Sequence, residues 1–138
     1  MHCSLRIARR LSELKSLAER LDVLAGKWSL PKKCQAEINL ILDELVTNII
    51  EHGAAQGEWI DITLVREGQL LTMTISDDGP AFDISHCPTP DTTLPLAKRC
   101  CGGLGIHLVR KLTDSHHYHR IGGKNIVTLT KTLPKEGS

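Results

Sequence analysis

The chain has 138 residues, of which 41% are hydrophobic and 24% charged, and this balance is typical of a globular domain rather than a disordered chain. Its 17 basic and 16 acidic residues leave a formal net charge of +1, which excludes a nucleic-acid binder that relies on a strong positive field. Aromatic residues make up only 3%, so base-stacking platforms are not expected, and we expect no direct binding to nucleic acid.

Two amphipathic helices are predicted in the first third of the chain. Residues 5–25 place apolar side chains three or four positions apart with charges on the opposite side, which predicts a helix of about five turns that ends near Gly26. Pro31 suits the first turn of a second helix that runs to about His52. Because this second helix has a wide apolar face, we expect it to lie deep in the core.

The hydrophobic period changes after the second helix. Residues 59–65 and 70–76 alternate between apolar and polar side chains and are rich in β-branched types, and Glu67-Gly68 between them predicts a tight hairpin turn. Residues 84–101 show no convincing period, and a stretch of that length without an element is typical of a functional loop or lid.

A third helix is expected from Leu104 to about Asp114, followed by strands at 116–121 and 125–133 that a turn at Gly122-Gly123 joins. The predicted order is therefore helix, helix, strand, strand, loop, helix, strand, strand. Adjacent strand pairs indicate a two-layer α+β sandwich, in which a mixed or antiparallel β-sheet is covered on one face by α-helices.

Neither a membrane span nor a secretory signal is visible in the sequence. No run approaches the roughly 18 to 20 apolar residues that a spanning helix requires, and the first ten residues lack an apolar segment with a cleavage site. The five cysteines include no C-x-x-C pair, which argues against a structural zinc site. We expect a cytoplasmic protein without membrane attachment, a single domain over residues 1–138 with its core at about 10–133.

The first candidate motif lies late in the second helix. Glu44, Asn48 and His52 recur every four residues, so they project from one stripe of the helix. A carboxylate and a carboxamide oxygen one turn apart are the oxygen ligands that Mg²⁺ prefers. The alternative is that the stripe is simply the solvent face of the helix.

The second candidate motif, Asp77-Asp78-Gly79-Pro80, directly follows a predicted strand. The carboxylate of Asp77 can accept a hydrogen bond from an exocyclic amine such as that of adenine, and Gly79 leaves room for a flat base to approach the backbone. The alternative is an ordinary turn, because Asp-Gly is common turn chemistry.

The third candidate motif, Gly102-Gly103-Leu104-Gly105-Ile106, opens the third helix. Glycines at a helix start let phosphate oxygens reach bare backbone N–H groups, where the helix macrodipole favours negative charge. The motif is neither a Walker loop, because no Gly-Lys-Ser/Thr follows, nor a Rossmann fingerprint, because no βαβ unit surrounds it. Each of the three motifs is weak alone, and their order and spacing carry the signal.

In combination the three motifs resemble the N box and the two glycine boxes of the Bergerat-fold (GHKL) ATPases, the superfamily of gyrase, heat-shock chaperones, histidine kinases and MutL. They are most similar to the small stand-alone branch, the bacterial anti-sigma-factor serine/threonine protein kinases. The resemblance spans residues 10–133, and Arg99 and the closing segment 125–131 also suit that branch. It implies the Bergerat ATP-binding fold.

The resemblance also implies a role for each motif residue. Asn48 would bind Mg²⁺ through its side-chain oxygen, and Glu44 would orient or deprotonate an attacking serine hydroxyl. Asp77 would read the adenine amine, with Gly79 beside the base. The residues implied near the phosphates are His52, Gly103, Leu104, Gly105 and Ile106.

Two further positions complete the implied ATP site. Arg99, in the lid, would neutralise charge that develops on the γ-phosphate. Ala81 stands where the family's first glycine box has its second glycine, and we expect this departure to reduce loop plasticity without changing the nucleotide class.

The implied activity is that of an ATP-dependent anti-sigma factor and kinase with Mg²⁺. It would phosphorylate a serine on an anti-sigma-factor antagonist of the STAS type and sequester a sigma factor, and a homodimer is left open. The alternative is a nucleotide-dependent partner-switching module without kinase activity, and Glu44 favours the kinase because a pure switch needs no base. A histidine kinase is disfavoured, since the chain contains no dimerising helical hairpin with a phosphoacceptor histidine.

Outside these motifs, two groups of polar residues receive simpler interpretations. The run His116-His117-Tyr118-His119 is interpreted as a polar sheet face or edge rather than a metal site, because no third ligand is visible. Arg6, Arg9 and Arg10 are interpreted as solvated charges of the first helix.

Overall fold

The computed structural model describes residues 1–52, 59–79 and 104–134. Its elements in chain order are β1 (His2–Ala8), α1 (Glu13–Lys27), α2 (Lys32–His52), β2 (Trp59–Glu67), β3 (Leu70–Asp77), α3 (Leu104–Leu112), β4 (Ser115–Ile121) and β5 (Lys124–Thr132). The predicted loop at 84–101 lies outside the described residues.

The five strands form one sheet in the order β1-β2-β3-β5-β4, and all four neighbouring pairs are antiparallel. Alternate residues of β2, β3 and β5 are buried, and they share one apolar cluster with the buried residues of the three helices. Because the period of a strand is two, this cluster occupies one face of the sheet. The predicted two-layer α+β architecture is confirmed.

Helix α2 lies at the centre of the core, as its apolar pattern predicts. Ile41, Leu42 and Val46 have no solvent exposure. The hairpin turn between β2 and β3 is also confirmed, with Gly68 at a φ of +60°, a conformation that glycine adopts without strain.

The prediction for the N-terminus was wrong. Residues 5–8 belong to strand β1 rather than to a helix, and α1 begins only at Glu13. Cys3, Leu5 and Ile7 alternate towards the core, while β1 pairs with β2 along its whole length. The apolar residues of so short a segment fit both a period of two and a helical period, and the pairing partner lies far along the chain.

One edge of the sheet gathers the ends of several elements. Ala8 pairs with Trp59 at the start of β2, Ile60 pairs with Asp77 at the end of β3, and Asp77 pairs with Asn125 near the start of β5. We call this the carboxyl edge, because β1 and β3 end there.

In the part of the chain that the structure describes, none of the helices is long and apolar enough to span a bilayer.

Candidate functional site

The side chain of Asn48 is buried within α2, with an exposure of 2%. Its Nδ2 donates to the carbonyl oxygen of Glu44, one turn earlier, at 2.6 Å. Its Oδ1 has no hydrogen-bond partner among the described residues. A buried carbonyl oxygen without a partner is unfavourable by about 1–3 kcal/mol, so this atom indicates a ligand. The alternative that Asn48 lies on the solvent face of the helix is therefore excluded.

Glu44 lies one helical turn before Asn48 and is half-buried. Burial raises the pKa of its carboxyl group above the ordinary 4.5, and the nearby carboxylates of Asp43 and Glu51 raise it further. A carboxylate with a raised pKa is a better proton acceptor near neutral pH than an ordinary surface glutamate.

This acidic end of α2 also suits a divalent cation. Three carboxylates, those of Asp43, Glu44 and Glu51, lie in its last three turns, and the helix macrodipole adds partial negative charge at the last turn. Oxygen donors are what Mg²⁺ prefers, and the unpartnered Oδ1 of Asn48 lies one helical turn after Glu44. The residues present therefore fit this ion.

The carboxylate of Asp77 is held at the end of β3 by two donors on the same oxygen. Its Oδ1 accepts from the backbone N–H of Gly79 at 2.9 Å and from Nδ2 of Asn125 at 3.1 Å. Among the described residues, no donor meets Oδ2. The Asp-Gly turn that the sequence analysis gave as an alternative is present. It fixes one carboxylate oxygen of Asp77 and leaves the other to accept a hydrogen bond from a ligand.

Asn125 is buried, with an exposure of 3%, and is fixed by residues of β4. Its Oδ1 accepts from the hydroxyl of Tyr118 at 2.6 Å and from Nη1 of Arg120 at 2.9 Å. The same Nη1 donates to the carbonyl oxygen of Gly79 at 3.0 Å. A connected polar network of this kind holds the Asp77 carboxylate and the following turn in one geometry.

A contact from Arg9 places the end of α2 at the same edge. Its Nη2 donates to the carbonyl oxygen of Ile49 at 2.9 Å. Because Arg9 directly follows β1, the last turns of α2 lie at the carboxyl edge, where β3 ends at Asp77. The structure thus brings the first two sequence motifs to one end of the fold.

The remaining predicted site residues lie partly or wholly outside the described part of the chain. Arg99, Ala81 and Gly103 are not among the described residues. The other predicted contacts are at element ends, with side chains that are not described: His52 ends α2, and Leu104, Gly105 and Ile106 form the first turn of α3.

Sequence reasoning missed the supporting network of Asn125, Tyr118 and Arg120. Asn125 was visible as a polar residue at a position of β5 that faces the core, but its register against Asp77 was not. The assignment of Arg6, Arg9 and Arg10 to the first helix was also wrong, because all three precede α1. Arg6 lies on β1 and pairs with Asp61 at 2.7 Å, and Arg9 contacts α2.

The histidine run forms part of β4, which is an edge strand, as expected. The rings of His117 and His119 are 5.4 Å apart. Across the described ranges, no group of three side chains suited to a metal is found.

Comparison with known proteins finds relatives over most of this chain. The serine/threonine-protein kinase BtrW of Bordetella bronchiseptica is 29% identical over 109 residues, which cover 78% of this chain and 75% of that protein. The sensor protein DctS of Rhodobacter capsulatus, named for C4-dicarboxylate transport, is 22% identical over 111 residues, which cover 72% of this chain and 17% of that protein.

Two solved structures share the fold. The RsbU and RsbW domains of Rv1364c from Mycobacterium tuberculosis align with a TM-score of 0.66 at 18% identity, over 96% of this chain and 34% of that one. The histidine kinase domain of the blue-light activated kinase EL346 from Erythrobacter litoralis aligns with a TM-score of 0.53 at 22% identity, over 92% of this chain and 62% of that one. The chain therefore spans about a third of the mycobacterial chain.

The family match covers almost the whole chain. Residues 7–131 match the histidine kinase-like ATPase domain, a range that contains every motif residue discussed above. The resemblance inferred from the three motifs is confirmed, and the chain belongs to the histidine kinase-like ATPase domain family.

Proposed function

We propose that the protein is an ATP-dependent serine/threonine protein kinase, which transfers the γ-phosphoryl group of ATP to a serine of a partner protein. The observation that carries the proposal is on α2, where the unpartnered Oδ1 of Asn48 lies one turn from the Glu44 carboxylate with its raised pKa. A module that only binds nucleotide needs the first feature and not the second. The relative BtrW, similar over most of its length, is named as a kinase of this type.

The adenine would lie against the end of β3. Oδ2 of Asp77 accepts a hydrogen bond from its exocyclic amine, Gly79 lies beside the base, and Ala81 follows in the same segment. The network that fixes Oδ1 keeps the acceptor in place before the nucleotide arrives.

The phosphates would lie between the end of α2 and the start of α3. The N–H groups of Gly103, Leu104, Gly105 and Ile106 bind phosphate oxygens at the helix start, and His52 lies near them. Asn48 Oδ1 would hold Mg²⁺, with Glu44 close to it. When bound, the ion supplies neutralisation of the phosphate charge.

In the transfer step, the serine oxygen of the partner forms a bond to the γ-phosphorus while the bond to the β–γ bridging oxygen breaks. The serine proton passes to the Glu44 carboxylate, and ADP leaves. The transition state is loose, so positioning and charge neutralisation dominate, and Arg99 would add positive charge near the γ-phosphate. A positioned base contributes a factor of about 10² to 10⁴.

The partners that fit this activity are an anti-sigma-factor antagonist of the STAS type as phosphoryl acceptor and a sigma factor that the protein sequesters. The kinship with BtrW and the fold shared with a structure that contains an RsbW domain support this choice. A cytoplasmic location fits this proposal, and a homodimer stays open.

The test is transfer of label from γ-labelled ATP with Mg²⁺ to candidate antagonist proteins. We expect label on the antagonist with the parent protein and none with the antagonist's serine changed to alanine. Glu44→Gln serves as the matched variant, which keeps the size of the side chain and removes the base. If a partner binds in an ATP-dependent way and no label leaves ATP, the protein is a partner-switching module and the kinase proposal fails.

A further inference from the structure

Lys131 is a buried charged residue that the proposed mechanism does not use. It lies on β5 with an exposure of 8%. Its Nζ donates to Oε2 of Glu37 on α2 at 2.5 Å and to the carbonyl oxygen of Leu112 at 2.9 Å. One ammonium group thus joins the sheet, α2 and the end of α3.

The carbonyl that Lys131 contacts belongs to the last residue of α3. The last four carbonyls of a helix have no partner within the helix, and a cation there also complements the macrodipole. Next to it, the carboxylate of Asp114 accepts from the backbone N–H and the hydroxyl of Thr132 at 2.5 and 2.6 Å. The C-terminal end of α3 is therefore anchored to β5.

We propose that Lys131 is a positioning residue for the phosphate site: it fixes α3 relative to α2 through Leu112 and Glu37. The inference rests on the proposed function, because it takes the start of α3 as the phosphate-binding end and α2 as the helix that carries Asn48. It adds a residue at the opposite end of α3 to those that touch the nucleotide.

The length of α3 explains why an anchor at one end matters at the other. Its nine residues extend about 13 Å at 1.5 Å per residue. A tilt of about 10° at the anchored end moves the first residue by about 2 Å, whereas functional groups need to be held within about 0.5 Å. The tie to α2 matters equally, because both helices contribute to the phosphate site.

A largely buried ion pair is weak evidence for a role in stability. Replacing both members of a buried pair by apolar residues of similar size is often neutral or stabilising, whereas removing one member leaves an uncompensated charge. The pair Lys131–Glu37 can therefore be removed as a unit, which separates its effect on geometry from its effect on stability.

The experiment compares Lys131→Met, the double variant Lys131→Met/Glu37→Met, and Lys131→Arg. Affinities for Mg·ATP and for adenosine are measured by calorimetry or NMR titration, and melting temperatures are recorded without nucleotide. The double variant Arg6→Met/Asp61→Leu is the matched control, because it removes an ion pair from β1 and β2 without touching α3.

We expect Lys131→Met to lower the ATP affinity at least tenfold while the adenosine affinity stays within twofold. In the double variant the melting temperature should return to that of the parent, whereas the ATP affinity should stay low, because no side chain at position 131 then donates to the Leu112 carbonyl. Lys131→Arg should restore most of the ATP affinity that Lys131→Met loses, since a guanidinium keeps the positive charge and has five N–H donors for the two acceptors. The control should bind ATP like the parent.

The inference is overturned if the double variant binds ATP as the parent does, or if adenosine and ATP affinities fall in parallel. Even if Lys131→Met does not fold, the double and arginine variants decide between these outcomes. A parent protein that binds no ATP overturns the proposed function itself, which is a distinguishable result.

Discussion

The ionisation of Glu44 gives the clearest prediction for a single residue. Because burial raises its pKa and a base must be ionised to accept a proton, phosphoryl transfer should fall as the pH drops through a pKa above the ordinary 4.5. The acid limb of kcat/KM against pH measures this value. Glu44→Gln should keep ATP binding and lower turnover by about 10² to 10⁴.

Asp43 offers a matched control for the pH profile, since its carboxylate is the second cause of the raised pKa. Asp43→Asn should move the acid limb to lower pH by less than the full shift, because burial remains. The raised pKa of Glu44 also affects stability. Because Glu44 binds its proton more tightly in the folded state, its contribution to the free energy of unfolding falls as the pH rises from its pKa in the unfolded state to its pKa in the folded state. An acid limb unaffected by Asp43→Asn would contradict the assignment of the limb to Glu44.

The orphaned oxygen of Asn48 predicts an exchange of function for stability. Asn48→Leu replaces a buried carbonyl without a partner by an apolar group of similar size, and it also removes the Nδ2 bond to the Glu44 carbonyl. The free energy of unfolding without nucleotide should therefore rise by at most about 1 kcal/mol. Urea unfolding in Mg²⁺-free buffer measures it. ATP binding should be lost in the same variant. A destabilised Asn48→Leu protein that still binds Mg·ATP would show that this oxygen has no ligand to hold.

At the scale of elements, the register between β3 and β5 produces the Asp77–Asn125 contact. Asn125→Ala should lower the affinities for ATP and adenosine in parallel, by about tenfold, since one hydrogen bond to a charged group is lost. Calorimetry with both ligands measures this and distinguishes the adenine end from the phosphate end. Tyr118→Phe should have a smaller effect, because Arg120 still donates to Asn125. An adenosine affinity in Asn125→Ala equal to that of the parent would contradict the proposed role of Asp77 in adenine recognition.

The elements also show which parts of the fold could be predicted from the sequence. Helix α2 was predictable because its periodic segment is long, and both hairpins were predictable because their turns contain glycine. Asn48 and Asp77 were predictable because they interrupt apolar patterns. Strand β1 was not, since seven residues carry too little period and its partner β2 follows two helices later. Asn125 was missed for a related reason: its role depends on strand register, which local pattern does not fix.

At the scale of the whole molecule, the polar side chains buried in the apolar core, among the residues that the structure describes, occur at two places. Asn48 lies on α2 near the carboxyl edge and Asn125 at that edge itself, where the nucleotide is proposed to bind. Lys131 lies towards the other end of β5, where it joins α3 to α2. The proposed adenine contacts lie at the end of a sheet strand, whereas the proposed phosphate contacts lie on two helices, which Lys131 joins. We therefore expect a change in the relative position of α2 and α3 to affect phosphate binding more than adenine binding.

If the end of α2, the end of β3 and the start of α3 converge on one nucleotide, Mg·ATP should stabilise the entire fold. A ligand at 100 times its Kd adds about 2.7 kcal/mol to the free energy of unfolding, and for a domain of this size that raises Tm by about 10 °C. Thermal unfolding with ATP in EDTA should give a smaller shift, because Asn48 then lacks its ion. Asp77→Asn should reduce the shift in both conditions, since the adenine contact contributes with or without Mg²⁺. Equal shifts with ATP and GTP in the parent protein would contradict the role of Asp77, and no shift with millimolar Mg·ATP would refute the convergence itself.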